Sequence, residues 1–279
     1  MTERFDAAYQ GQPGAYSEQA ARRICGADAA LLPCETLADV FAALADGRAR
    51  AAVIPIENTL AGAVPGALRL LFDSGLAVDA EATEWIDHVL AGPSSSSMAT
   101  IREVLSHPVA LAQCTHFFKT HPDIRPVSVF DTAGALEMVM KSGDRSRAAI
   151  AGRAAAALYG ASLLEEHLQD HDANYTRFVR IVPGTVTAAS GPCRAMLSLR
   201  LAHQAGSLAH ALQAMADHGL NLTRIDSSPI PGSPFEYEFL IEATCESGFD
   251  RALDALRQAM TIRLMGCFAR NDRATSFGS

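Results

Sequence analysis

The chain has 279 residues, with 23 Lys and Arg against 31 Asp and Glu, a formal net charge of −8. That length has room for two domains or three small lobes, and 49% hydrophobic with 19% charged residues is the balance of a globular chain, not a disordered one. The acidic balance, with no Lys/Arg run, excludes a nucleic-acid binder that works by neutralising phosphates.

The first strand runs into Gln10-Gly11-Gln12-Pro13-Gly14, ahead of a helix starting near Ser17. This loop lacks both the third glycine of a dinucleotide fingerprint and the Gly-Lys-Ser/Thr of a phosphate loop, so it reads as a tight strand-to-helix turn. Glu35-Thr36 then starts a helix with Leu37, Val40, Phe41 and Leu44 on one face, Gly47 stops it, and the apolar run Ala51-Ala52-Val53-Ile54 follows. The same grammar returns at Asp131-Thr132, with Leu136, Val139 and Met140 inward, Gly143 as the stop and Ala148-Ala149-Ile150-Ala151 after it. This echo predicts two equivalent α-then-β units, one in each of two lobes.

Buried apolar runs alternating with amphipathic helices predict mostly parallel sheets, whose ligands sit at the carboxyl ends of strands. Pro55-Ile56-Glu57-Asn58-Thr59 and Ser106-His107-Pro108 occupy such ends. Asn58 can hold a carboxylate or hydroxyl, or cap the next helix; the residues alone leave both readings open. His107 is a possible helix cap with Pro108 in the first turn, Gln113 reads equally as a surface amide, and Cys114, with no base beside it, reads as a buried inert thiol. Thr132 is expected to be an N-cap at a helix terminus that could also hold an anion. In Asn174-Tyr175-Thr176-Arg177-Phe178, alternation sends Thr176 and Phe178 to one face of a strand and Arg177 to the other, so a kink would be needed for all three to touch one ligand.

Pro183 to Pro192 has no periodicity and marks a domain boundary. Beyond it the pattern is strand Arg194–Leu201, helix Ser207–His218, strand Asn221–Ile225, strand Phe235–Ala243, helix from Phe249 to Met260 and strand Ile262–Ala269. That βαββαβ order is a ferredoxin-like module of the binding or regulatory kind.

Some classes drop out. No apolar run approaches the roughly 20 residues of a membrane span, so no membrane partner is expected. Met1-Thr2-Glu3-Arg4-Phe5-Asp6 does not start a signal peptide, which makes the cytoplasm the expected location. Cys25, Cys34, Cys114, Cys193, Cys245 and Cys267 form no C-x-x-C pair, and His167 with His171 lacks the H-E-x-x-H pattern. Neither a disulfide framework nor a metal is expected.

Five segments, in this order, resemble the prephenate dehydratase family: Tyr9 to Glu18, Ala52 to Gly62, His107-Pro108 with Gln113-Cys114, Asp131-Thr132-Ala133, and Asn174 with Thr176-Arg177-Phe178. The last domain resembles an ACT domain, whose effector motifs align with Gly206-Ser207-Leu208-Ala209 and Asp226-Ser227-Ser228-Pro229. The resemblance implies an α/β fold with a two-lobed, periplasmic-binding-protein-like catalytic domain and central cleft, residues 1–183. Lobe 1 is expected at about 1–78 plus 175–183 and lobe 2 at about 79–174, followed by a linker (184–193) and an ACT domain (194–272). It implies a cofactor-free lyase that converts prephenate to phenylpyruvate, with arogenate as the rival substrate; a two-lobed binding protein without catalysis is the alternative from another class. Thr176, Asn58 and Gln113 take catalytic roles by this resemblance. Arg177, Phe178, Thr132, Ser106 and Glu57 would bind substrate, and L-phenylalanine would bind between the ACT domains of a homodimer or homotetramer. The usual Glu-Ser-Arg-Pro of the second effector motif has Ser228 for its arginine, and Val109 stands after His-Pro where the family usually has Gln. Because the first motif starts at Tyr9, a monofunctional enzyme is expected.

Overall fold

Short apolar runs separated by capped helices assemble two sheets before residue 180. The computed structural model describes residues 4–188 and 191–269, in two compact units, Met1–Val64 with Glu81–Val179, and Pro65–Ala80 with Arg180–Ser279.

In the first lobe the order is β1 (Phe5–Gln10), α1 (Tyr16–Cys25), β2 (Leu31–Cys34), α2 (Leu37–Ala45), β3 (Ala49–Asn58) and the short β4 (Gly62–Ala63). Helix α3 (Ala67–Ser74) and strand β5 (Ala77–Trp85) follow. The second lobe holds β6 (His88–Gly92), β7 (Glu103–Ser106), α4 (Pro108–Ala112), α5 (Thr115–Thr120), β8 (Arg125–Ser128), α6 (Thr132–Ser142), β9 (Arg147–Gly152), α7 (Arg153–Leu158) and β10 (Ser162–Glu165). β11 (Tyr175–Val182) returns to the first sheet beside β3.

The echo in the sequence is an echo in topology. β1 pairs in parallel with both β2 and β3, and β7 in parallel with both β8 and β9, so each lobe centres on the first strand of a βαβαβ run. The helix starts differ by one residue. Thr36 caps α2 in a reciprocal capping box with Asp39, whereas Asp131, not Thr132, caps α6. The second sheet is mixed rather than mostly parallel, because β6 runs antiparallel to both β9 and β10. Its side chains alternate between two cores: Val89, Ala91, Leu105, Ala149 and Ala151 face α6 and α7, while Leu90, Val104, Ala148 and Ile150 pack with residues of α4 and α5.

The lobes meet at the loop after β1. Ala15 packs into the core of the second lobe, Tyr159 Oη donates to Pro13 O at 2.9 Å, and Gln12 N donates to Asp131 Oδ2 at 3.2 Å. The loop is thus a joint between lobes, consistent with its reading as a tight turn.

The C-terminal part contains β12 (Cys193–Arg200), α8 (Ser207–Asp217), β13 (Asn221–Pro229), β14 (Tyr237–Cys245), α9 (Phe249–Ala259) and β15 (Thr261–Ala269). Its antiparallel sheet has the order β13-β14-β12-β15, the ferredoxin-like arrangement. Ala195, Leu197, Leu199, Ile241 and Ala243 alternate onto one face beneath Ala211 and Met215 of α8 and Phe249, Leu253 and Leu256 of α9. α3 and the start of β5 belong to this unit, not to the first lobe as expected. Arg69 Nη1 donates to Pro229 O at 3.3 Å, Arg263 Nη2 to Phe72 O at 3.1 Å, and Gly266 pairs with Val78. A Cβ on Gly266 would stand 2.9 Å from Val78 Cβ, so that approach needs glycine. Residues 189–190 of the expected linker and 270–272 of the expected ACT domain lie outside the described residues.

Gly14 has φ +90, and a Cβ there would fall 2.7 Å from Ala155 Cα. Gly14→Ala is expected to destabilise the protein by about 2–4 kcal/mol through strain and overpacking at the joint, measured by urea unfolding against wild type.

Candidate functional site

β3 ends on Asn58 beside the start of β11, while Gln113 is the C-cap of α4 and β6 opens on His88. Asn58 is buried, and its Oδ1 accepts from the backbone N–H of Leu60 at 3.0 Å and of Ala61 at 2.8 Å. Backbone donors cannot be exchanged, so they decide which end of the carboxamide is oxygen. Its Nδ2 then donates to Asn174 Oδ1 at 2.8 Å, Tyr175 O at 3.1 Å and Thr176 Oγ1 at 3.0 Å. Asn174 Nδ2 donates onward to Gln113 Oε1 at 3.0 Å, and Gln113 Nε2 returns to Asn58 Oδ1 at 3.3 Å. Three carboxamides form a closed ring in which each donates to the next. His88 Nε2 lies 3.1 Å from the same Gln113 oxygen.

Three hydrogens of the cluster meet no acceptor among the described residues, and one of them, the second N–H of Asn174 Nδ2, is fully buried. Thr176 Oγ1 accepts from Asn58, and among the described residues its own O–H meets no acceptor; the second N–H of Gln113 meets none either. Both side chains are partly exposed, so both donors are open to a ligand. The ring carries no formal charge.

Asn58, Gln113 and Thr176 are therefore brought together in one hydrogen-bonded cluster. Arg177 is not: it lies across the strand from Thr176, with Nε 2.8 Å from Glu81 Oε2 and Nη1 3.8 Å from Glu57 Oε2. No kink reverses the alternation, and Glu57 serves as a counter-charge to Arg177. Phe178 is only 2% exposed and packs as core instead of offering a ring to a ligand. Ser106 is fully buried, its hydroxyl donating to Ile150 O at 2.6 Å. Thr132 opens α6, but the first amides of that helix are occupied, since Asp131 accepts from Ala133 N and Gly134 N, each at 2.9 Å. An anion at that terminus would have to displace a carboxylate already bound there.

Asn174 and His88 complete the cluster and were not among the expected site residues. Asn174 sits two residues before Thr176, the spacing of one strand face, which was its available signal. His88 had none. Its imidazole is almost fully buried, and burial holds its pKa below the ordinary histidine range. His107 caps α4 by accepting from Val109 N at 3.2 Å, and burial likewise lowers its pKa. The Cys114 thiol is pushed up to about 12 by burial, which fits an inert thiol.

In the C-terminal unit, Gly206 caps α8 with φ 88, and Ser207 and Leu208 line a small cavity of about 130 Å³ with Leu201, His203, Tyr237 and Phe239. Asp226 to Pro229 ends β13 in register with Leu240 to Tyr237, and none of the four lines that cavity. A wider groove of about 540 Å³, lined by residues such as Leu111, Phe118 and Lys119, includes no member of the amide cluster. Among the described residues no His, Cys, Asp and Glu group is arranged to hold a metal, and no helix is long and apolar enough to cross a membrane.

The model of the prephenate dehydratase family matches residues 7–184, and that of the ACT domain residues 195–259. A bifunctional N-acyl-homoserine lactone acylase/prephenate dehydratase of Komagataeibacter europaeus is 38% identical over 237 residues, 84% of each chain. The bifunctional chorismate mutase/prephenate dehydratase of Escherichia coli strain K12 is 32% identical over 94% of this chain and 70% of that one. The crystal structure of prephenate dehydratase in complex with L-Phe from Arthrobacter aurescens superposes with a TM-score of 0.86 at 27% identity, covering 98% of this chain and 93% of the other.

His88 and His107 titrate below the unfolded value of 6.5. Below that pH the unfolded chain binds protons that the folded chain refuses, so the two histidines make stability fall as pH drops, by up to about 1.4 kcal/mol per pH unit for each. Urea unfolding between about pH 7.5 and 5.5 is expected to show this slope, and His88→Gln is expected to reduce it.

Proposed function

Because the chain belongs to the prephenate dehydratase family, we propose that it converts prephenate to phenylpyruvate at the amide ring and is inhibited by phenylalanine through its ACT domain. The observation that carries this reading is the pair of partly exposed, uncommitted donors, Thr176 Oγ–H and Gln113 Nε2–H, held by an uncharged ring.

In the reaction the bond from the ring carbon to its carboxylate breaks, and its electron pair moves into the ring. The C–O bond opposite breaks, and hydroxide leaves as water after taking one proton, with carbon dioxide as the other product. Aromatisation supplies the driving force, and the residues need only stabilise the departing oxygen and orient the ring. A threonine hydroxyl is too weak an acid to give its proton away outright, so Thr176 acts by an oriented hydrogen bond while the proton consumed comes from solvent. Asn58 sets that orientation by donating into Thr176 Oγ1, which turns the Thr176 hydrogen outward.

Charge explains why neutral groups suit the cluster. The carboxylate that departs gives up its charge as it becomes carbon dioxide, and a cation fixed on it would oppose that loss. Arg177, compensated by Glu81 and Glu57, exerts no such hold. The acylase activity in one relative's name would call for a nucleophile with a base. Here Thr176 is bonded to an amide, and His88 to Gln113. Dehydration is the better fit.

For regulation, Ser207 and Leu208 of the first effector motif line the cavity, while the second motif of the same chain stays out of it. We assign the missing half of the site to a second subunit, which makes a symmetric dimer, alone or within a tetramer, the functional form. Prephenate is the substrate proposed, ahead of arogenate.

Thr176→Ala is expected to lower kcat by roughly 10²–10³ with a smaller effect on KM, the cost of one transition-state donor. The check is the absorbance of phenylpyruvate in base after incubation with prephenate. Wild-type turnover no faster than the uncatalysed reaction would refute the assignment of activity, and normal turnover in the variant would refute the role of Thr176. Phenylalanine is expected to inhibit wild type, and Ser228→Arg to lower the concentration needed; a titration of activity against phenylalanine decides both.

A further inference from the structure

His88 belongs to no segment that carries the functional reading, yet it touches the ring at the point that decides its direction. Its side chain is 2% exposed at the start of β6, with Nε2 3.1 Å from Gln113 Oε1. That Gln113 atom must be the oxygen, since its nitrogen faces Asn58 Oδ1, whose own identity follows from Leu60 N and Ala61 N. A carbonyl only accepts, so the imidazole presents Nε2–H and keeps Nδ1 as a bare lone pair. Nδ1 has no hydrogen-bond partner among the described residues, and the ring of Tyr16 stands edge-on at 6.1 Å. A protonated imidazole would place an unpaired N–H and a charge in that buried position. Burial accordingly keeps His88 neutral.

Asn174 and Gln113 each keep one N–H without an acceptor among the described residues, but Asn174 is fully buried, and Gln113 is the one partly exposed carboxamide that can offer its hydrogen to a ligand. Rotating it by half a turn would exchange its N and O, presenting a carbonyl where the free N–H now stands and setting oxygen against Asn58 Oδ1. Asn174 Nδ2 and His88 Nε2–H together fill both lone pairs of Gln113 Oε1 and oppose that rotation. We propose that His88 is a positioning residue for the dehydration, a neutral Nε2–H donor that keeps the nitrogen of Gln113, not its oxygen, turned to the substrate. The proposal rests on the dehydratase reading, and it explains why an aromatic donor without charge occupies a site that must stay neutral.

The test compares His88→Met, which keeps bulk and loses the donor, with His88→Gln, whose amide nitrogen reaches the same place, after both are shown to fold by circular dichroism. His88→Met is expected to lower kcat roughly ten- to hundredfold, less than loss of a donor to the substrate itself, with KM changed little, and His88→Gln to recover most of it. In a Gln113→Ala background His88→Met is expected to cost nothing further. Imidazole ¹⁵N shifts of the wild type are expected to show the neutral Nε2–H tautomer. The proposal is overturned by normal kcat in His88→Met, by a full loss that persists without Gln113, or by an Nδ1–H tautomer. If His88→Met does not fold, His88→Gln and the tautomer decide, and a Gln variant that folds but turns over at under a tenth of the wild-type rate overturns it. A wild type that forms no phenylpyruvate would instead refute the dehydratase reading, with the tautomer still reporting on the ring.

Discussion

The carboxamide of Asn58 has more neighbours than hydrogen-bonding positions, and the candidate site depends on how that excess is resolved. Its two hydrogens serve Asn174, Tyr175 O and Thr176, and its oxygen serves Leu60 N, Ala61 N and Gln113. Each buried polar group left unmade costs about 1–3 kcal/mol, so the amide can settle in only one orientation. Asn174, Gln113 and Thr176 then inherit their donor and acceptor roles from it. The ring draws on β3, α4 and the segment before β11, so both lobes must be in place before any of its members is satisfied.

Neutrality is the second constraint. The cationic group closest in sequence to Thr176 is Arg177, and strand alternation sends it to Glu81 and Glu57 on the other face. A similar economy appears at α6, where Asp131 occupies the helix terminus and also receives Gln12 N from the joint between lobes. Charges near the site are thus met by opposite charges or backbone amides of the protein itself, and the groups left for a ligand are hydroxyl and amide hydrogens. With a net charge of −8, such local donors are what a dianionic substrate meets.

Much of this was legible in the residues. The repeated acidic-Thr helix start and Gly stop marked two equivalent α-then-β units, because caps and apolar periodicity are local properties. Asn58 and Thr176 were singled out at a strand end and a strand start, and period-2 alternation foretold that Arg177 would not share a face with Thr176. The one-residue shift of the cap from Thr132 to Asp131 was not legible. Either side chain can cap, and the contact with Gln12 N, far away in the chain, favours the carboxylate. Ser106, at a strand end, and Phe178, in the Thr-Arg-Phe motif, were expected to bind substrate by the family resemblance, yet the neighbours that bury them come from other strands and helices.

The sequence by itself determined the elements with clear caps or apolar periodicity, the two-lobe repeat, the βαββαβ module and the family, since each is written in spacings of a few residues or in motifs read in order. Tertiary structure alone decided that α3 and the start of β5 pack with the C-terminal unit, and that residues 58, 88, 113 and 174 share one hydrogen-bonded cluster. The physical reason is that local periodicity tells which face of an element is buried, whereas the partner a buried amide or imidazole finds there depends on chain segments that sequence distance does not order.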